Sequence, residues 1–163
     1  MSTHTKEPAG VMRVTTPTDR EIRIERIFNA PRDRVWKAFT DPQQVAQWWG
    51  RGNTVDVQRL EVERGGHWRF VEHGPEGPQG FEGRFREVKA PERLVQTFEW
   101  DGMPGRVAVN TLTLQDLGDG RTLVVTESMF FTTEERDGMV QSGMEGGMKQ
   151  SYAALDLLLQ KAA

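Results

Sequence analysis

The sequence predicts an α+β domain in which a seven-stranded, curved antiparallel sheet wraps one long carboxy-terminal helix, with two short helices between the first two strands. Three observations predict it. NAPRDRVWKAFTDPQQVAQWWG (29–50) holds two short helical stripes punctuated by Pro31 and Pro42. Residues 54–131 alternate apolar and polar positions between short Gly- and Pro-bearing turns. Helical spacing returns only after Thr133 and then persists to the end.

Residues 1–18 are polar, carry Pro8 and Pro17 and lack sustained periodicity; they are expected as a flexible arm, with Val11, Met12 and Val14 as the stretch able to lie on the body as a short strand. The single domain is expected over residues 19–163. EIRIERIF (21–28) alternates as a half-buried strand does. Pro31 suits a helix start, and Val35, Ala38 and Phe39 recur at helical spacing beside Trp36. Pro42 disfavours helical geometry at Asp41 but opens a second helix, whose stripe is Val45, Trp48 and Trp49. Strands follow at 54–62, 67–73, 81–88, 93–100, 107–115 and 121–131. The intervening turns are Gly65-Gly66, a loop over 74–80, Ala90-Pro91, DGMPGR and Leu117–Gly120, short enough to make neighbouring strands antiparallel. From Thr133 to Lys161 one amphipathic helix is expected, with Val140, Met144, Met148, Ser151, Leu155, Leu158 and Leu159 on one stripe and Gly143, Gly147 and Ser151 along its edge. That small-residue edge is either close packing or room for a ligand.

A chain of 163 residues with 36% hydrophobic and 28% charged residues is an ordinary single globule, and no apolar run approaches the ~20 residues of a membrane span. The amino terminus has no apolar core, so a cytoplasmic location is expected. Zero Cys excludes disulfides and thiolate chemistry. A net charge of −3 with scattered basic residues argues against nucleic acid.

Residues 29–50 resemble the opening of the SRPBCC superfamily, the START and birch-pollen-allergen-like proteins, in the branch similar to the carboxy-terminal domain of the heat-shock-protein-90 ATPase activator. ERGGHWRF (63–70), GRFREVKAPERLVQTFEW (83–100), DGRTLVVTESMFF (119–131) and ERDGMVQSGMEGGMKQSYAALDLLL (135–159) match in order, so the resemblance spans about residues 20–160. It implies the helix-grip fold and a pocket between sheet and helix that in many relatives holds an apolar or amphipathic small molecule. It implies no one reaction, because the superfamily includes lipid carriers, hormone receptors, polyketide cyclases and aromatases, and this branch a co-chaperone. Two departures are visible. Arg64 stands where the family often has Pro, and Met148 where it often has an aromatic residue.

Five Trp and eight Phe against one Tyr favour rings with few polar needs. Strand parity pairs Trp68 with Phe70, Phe81 with Phe85, and Phe98 with Trp100; with Trp48, Trp49, Met144 and Met148 they form the expected pocket wall, the alternative being that they fill the core. Glu127, in phase with Leu123, Val125 and Met129, is the candidate acid or base if that phase faces the helix; the alternative is an exposed face or an internal salt bridge with Arg69 or Arg84. Gln96 and Asn110, in phase with apolar neighbours, are candidate ligand contacts. His67 and His73 stand ~20 Å apart along a strand and make no metal pair; neither metal nor cofactor is expected. Three functions follow in order: binding of an apolar or aromatic small molecule, a cyclase, aromatase or dehydratase using Glu127, and a chaperone-cofactor-like binding module. Exposed strand edges suggest a homodimer.

Overall fold

A computed structural model describes residues 8–161. One antiparallel sheet is formed by β1 (Arg13–Thr15), β2 (Glu21–Phe28), β3 (Thr54–Leu60), β4 (His67–Gly74), β5 (Gly77–Lys89), β6 (Arg93–Trp100), β7 (Val107–Asp116) and β8 (Thr122–Met129). Its spatial order is β1-β2-β8-β7-β6-β5-β4-β3. Helices α1 (Arg32–Thr40) and α2 (Pro42–Trp48) join β2 to β3, and α3 (Thr133–Gln141) and α4 (Met144–Lys161) end the chain. This is the expected α+β helix-grip arrangement.

The strand count is corrected from seven to eight. The added strand lies within the expected arm, where Val14 stands opposite Ile24 and Gly10 N–H donates to Ile27 O at 3.2 Å. Residues 1–7 of that arm, with His4, and residues 162–163 lie outside the described residues. The single terminal helix is corrected to two, because Gly143 takes φ +85° and Ser142 Oγ–H closes the end of α3 on Met139 O at 2.6 Å. Residues 74–80 are largely strand instead of loop: Gly74 pairs with Gly77 across Pro75-Glu76, and Gly77 at φ +104° supplies the turn.

Asp41 serves both short helices. It ends α1 by donating its backbone N–H to Lys37 O and opens α2 by accepting Gln43 N–H on its carboxylate. The buried faces of the pair, Val35, Ala38, Val45 and Trp48, close one end of the core. The buried face of α4 is Ser151, Tyr152, Leu155, Leu158 and Leu159. Tyr152 meets Phe28 edge-on at 5.2 Å, lies 6.2 Å from Trp48 and bonds the Thr126 side chain. One turn on, Asp156 receives Arg26 Nη2 at 2.5 Å, while that guanidinium sits 4.3 Å over the Phe28 ring. The other sheet face carries a small cluster of Ile27, Leu123 and Val125, with Ala9 and Leu117 against it.

Burial pushes the Tyr152 hydroxyl up to about 12, against the opposing pull of Thr126 and Arg26. The unfolded residue ionises near 10, so the unfolded chain loses this proton first; stability is complete below about pH 10 and falls as pH rises toward 12, by a few kcal/mol at most. Because Tyr152 is the only tyrosine, tyrosinate absorbance reports it directly. We expect only about a tenth of it near pH 11 while far-ultraviolet dichroism stays native; a native-state midpoint near 10 would contradict the burial.

Candidate functional site

Alternation along β4, β5 and β6 puts Trp68, Phe70, Phe81, Gly83, Phe85, Leu94, Gln96 and Phe98 on the face toward α4. Gly83 stands opposite Trp68, and a Cβ there would run into the Trp68 indole nitrogen and the Thr97 carbonyl. Lacking one, β5 lets Trp68 reach across and donate its indole N–H to Thr97 O at 3.0 Å. The surrounding rings interlock: Trp68 lies 4.9 Å from Phe70 and 5.9 Å from Phe98, and Phe98 lies 5.5 Å from Phe81. Trp49, just past α2, adds edge contacts to Phe70 at 5.2 Å and Phe81 at 5.3 Å. Trp68, Phe70 and Phe85 are core residues; Trp49, Phe81 and Phe98 stay half-buried, as do Met144 and Met148 of α4. Trp48 belongs elsewhere. It packs on Phe39 at 4.7 Å and donates its indole N–H to Ala38 O at 2.8 Å. Trp100, opposite Phe81 at the end of β6, is exposed and donates to Gln79 Oε1 at 2.8 Å.

The register brings three polar residues into one row on the same face. Phe85 pairs with Gln96, Gln96 with Asn110, Asn110 with Ser128, and Ser128 with Ile22. Gln96, Asn110 and Ser128 are half-buried between those apolar ends. Ser128, absent from the residues expected above, thus joins the candidate site; its parity with Val124 in β8 was the available signal.

Glu127 is corrected. The phase it shares with Leu123 and Val125 faces away from α4, and its carboxylate takes Arg23 Nη1 at 3.0 Å with the side chain 36% exposed. The salt-bridge alternative therefore holds, with Arg23 in place of Arg69 or Arg84. Arg69 instead grips Asp101 through two bonds of 3.1 and 2.7 Å, which hold the Asp101 carboxyl below its ordinary value.

A second element missed from the sequence is the link Gly50-Arg51-Gly52, in which all three residues take positive φ. Arg51, at φ +56°, pays for its left-handed backbone with roughly 1 to 2 kcal/mol, and its contacts hold it there. Its N–H donates to Ser151 Oγ at 3.0 Å, and its Nε and Nη2 grip Glu72 at 3.3 and 2.6 Å. Bonding to Glu72 raises the Arg51 pKa above its ordinary value. The Glu72 side chain is only 3% exposed, and Asn53 Nδ2 donates to it as well at 3.3 Å. A Cβ on Gly147 would collide with Arg51 Cδ. Gly147 and Ser151 of the small-residue edge are therefore close packing, made against this link instead of the sheet, whereas Gly143 has open space where a Cβ would stand. An open cleft of about 430 Å³ lies here, bordered by Arg51, Asn53, Glu72, Gln79, Gly147 and Gln150 among others.

Among the described residues no three His, Asp or Glu gather in a way that could hold a metal ion, and no helix is long and apolar enough to cross a membrane.

Residues 29–160 match the family model described as Activator of Hsp90 ATPase homolog 1-like protein. A Rhodobacter sphaeroides protein of known structure superposes with TM-score 0.86 at 27% identity, covering 94% of this chain and 100% of its own. A protein from Arthrobacter aurescens gives 0.82 at 25% identity, with 91% of each chain covered. CalU16 from Micromonospora echinospora, at 22% identity and TM-score 0.64 over 94% of this chain and 76% of its own, shares the fold. No curated protein matches the sequence.

Removing the partner of a buried carboxylate costs more than removing an exposed one. Arg51→Ala is expected to lower stability by about 2 kcal/mol, and Glu127→Gln by about 0.5 kcal/mol or less, in urea unfolding. Equal losses would mean that the Arg51–Glu72 pair is no more than a surface bridge.

Proposed function

Because the chain belongs to the Activator of Hsp90 ATPase homolog 1-like protein family, we propose that it binds an amphipathic small molecule with an apolar or aromatic body between the sheet and α4. The observation that carries this reading is the row Gln96–Asn110–Ser128. Polar side chains turned toward a helix cost free energy unless water or a ligand meets them, and no hydrogen bond within the described structure engages these three side chains. Tyr152 sets the level of the helix by bonding Thr126. One helical turn before it, about 5.4 Å, comes Met148; two residues along β8, about 6.6 Å, comes Ser128. On that spacing Met148 comes to about the level of the polar row, with a flexible thioether that adapts to whatever lies beneath. The half-buried rings Trp49, Phe81 and Phe98 border the same space and supply its apolar wall. A ligand with one or two hydrogen-bonding groups on an apolar frame satisfies both sides.

An acid or base acting on such a ligand has to come from elsewhere than Glu127, which is held by Arg23 on the outer face. A second reading, binding of a protein, draws support from Phe131, 77% exposed, and from exposed Met103 and Val107 near the same end of the sheet. Retention of ligand binding together with loss of a captured protein in Phe131→Asp would separate the two.

The groove is tested with anilinonaphthalene sulfonate and a panel of aromatic and aliphatic amphiphiles, followed by energy transfer from Trp. We expect saturable binding, weakened about tenfold by Ser128→Phe, which fills the groove from the sheet side, with far-ultraviolet dichroism unchanged. Silence across the panel, with nothing co-purifying by native mass spectrometry, would overturn the reading.

A further inference from the structure

A basic notch lies on the sheet face away from α4, independent of the groove proposed above. The turn at residues 63–66 docks on β5 through two main-chain bonds, Gly65 N–H to Phe85 O at 2.7 Å and Phe85 N–H to Gly66 O at 3.0 Å. Gly65 takes φ +85° to make that approach. Docking sets Arg64 beside Arg84, whose Nη1 donates to Gly65 O at 3.3 Å and whose backbone N–H donates to Thr97 Oγ1 at 2.8 Å. The register shift between Phe85 and Glu87 leaves Arg86 out of the β5–β6 ladder. Arg64, Arg84 and Arg86, with Gly65, Phe85 and Thr97, line one concavity of about 630 Å³.

Three guanidinium groups in one notch repel each other unless anions answer them. The neighbouring carboxylates are engaged elsewhere: Glu61 by Arg59 at 2.6 Å, Glu82 by His67 at 3.1 Å, and Glu87 by Arg93 at 3.3 Å. Glu63, in the same turn, is not part of the lining. Among the described residues most arginines pair with a carboxylate, whereas none of these three does.

We propose that this notch binds the phosphate group of a small solute. Guanidinium forks match phosphate oxygens in pairs, and a doubly charged oxyanion offsets the cluster better than a single carboxylate does. The concavity exceeds what a bare phosphate fills, so it also has room for an attached organic group.

The test is a ¹H–¹⁵N titration of the full chain with inorganic phosphate and with pyrophosphate, at neutral pH and with ionic strength held constant by chloride. Saturable shifts are expected at Gly65, Gly66, Arg84 and Arg86, with pyrophosphate binding more tightly. Arg64→Pro and Arg86→Gln should each weaken pyrophosphate binding by about tenfold while amides of β7 and β8 stay in place. Sedimentation with phosphatidylcholine vesicles doped with phosphatidic acid distinguishes the source: binding there only, lost in Arg64→Pro, assigns a lipid headgroup, and binding to the free anions assigns a solute. Shifts no larger than those chloride produces, with no vesicle binding, would overturn the site, as would full affinity in both variants.

Discussion

One helix has to cover one face of an eight-stranded sheet, and that constraint organises the molecule. Strand side chains alternate between faces, so half of every strand needs cover that α4 alone can give only over its own width. The contact is tightest where Tyr152 lies against Phe28, and there both rings and the neighbouring Leu155 are fully buried. Toward the amino-terminal end of α4 the buried stripe gives way to half-buried Met144 and Met148. The sheet beneath is accordingly half-covered, and its half-buried polar row and rings belong to that thinning of cover.

The link from α2 to β3 shows how such a partly covered fold is kept in register. Trp49, Arg51 and Asn53 reach three different elements: the rings of β4 and β5, the buried Glu72, and the Ser151 hydroxyl of α4. Gly147 is what lets them do so, because a side chain there would occupy the path of Arg51. A left-handed arginine is an unfavourable local state sustained by a bidentate bond to a carboxylate that has little other solvation. Local strain and tertiary contact thus hold each other in place.

The two faces of the sheet differ in the chemistry they present. Around the polar row the face toward α4 has aromatic rings and uncharged amide and hydroxyl groups, and its charged side chains Arg26 and Glu72 are buried and each held by an opposite charge; the opposite face carries its charge pairs, Arg23 with Glu127 and Arg69 with Asp101, in reach of water, with the arginines beside the bulge in β5. Uncharged polar groups are cheaper to keep half-buried than ions, so this division follows from solvation. It also separates the groove proposed for amphipathic compounds from the notch proposed for oxyanions.

The sequence by itself determined the elements and their order. Pro31 and Pro42 placed the helix pair and alternation placed the strands, because these are written in local dihedral preference and periodicity, and the motif resemblance over residues 20–160 implied the helix-grip fold. It also determined which residues share a face: Gln96 with Phe98, Asn110 with Leu112, Glu127 with Val125. Which of two faces a given phase occupies was beyond it. Parity is a relative quantity, and only packing against α4 sent Asn110 inward and Glu127 outward. Gly143, Gly147 and Ser151 read equally well as packing or as a ligand groove until Arg51 was seen to fill the space above Gly147. The break at Gly143, the eighth strand and the Arg51–Glu72 bond likewise depend on contacts across long stretches of chain, which no local pattern records.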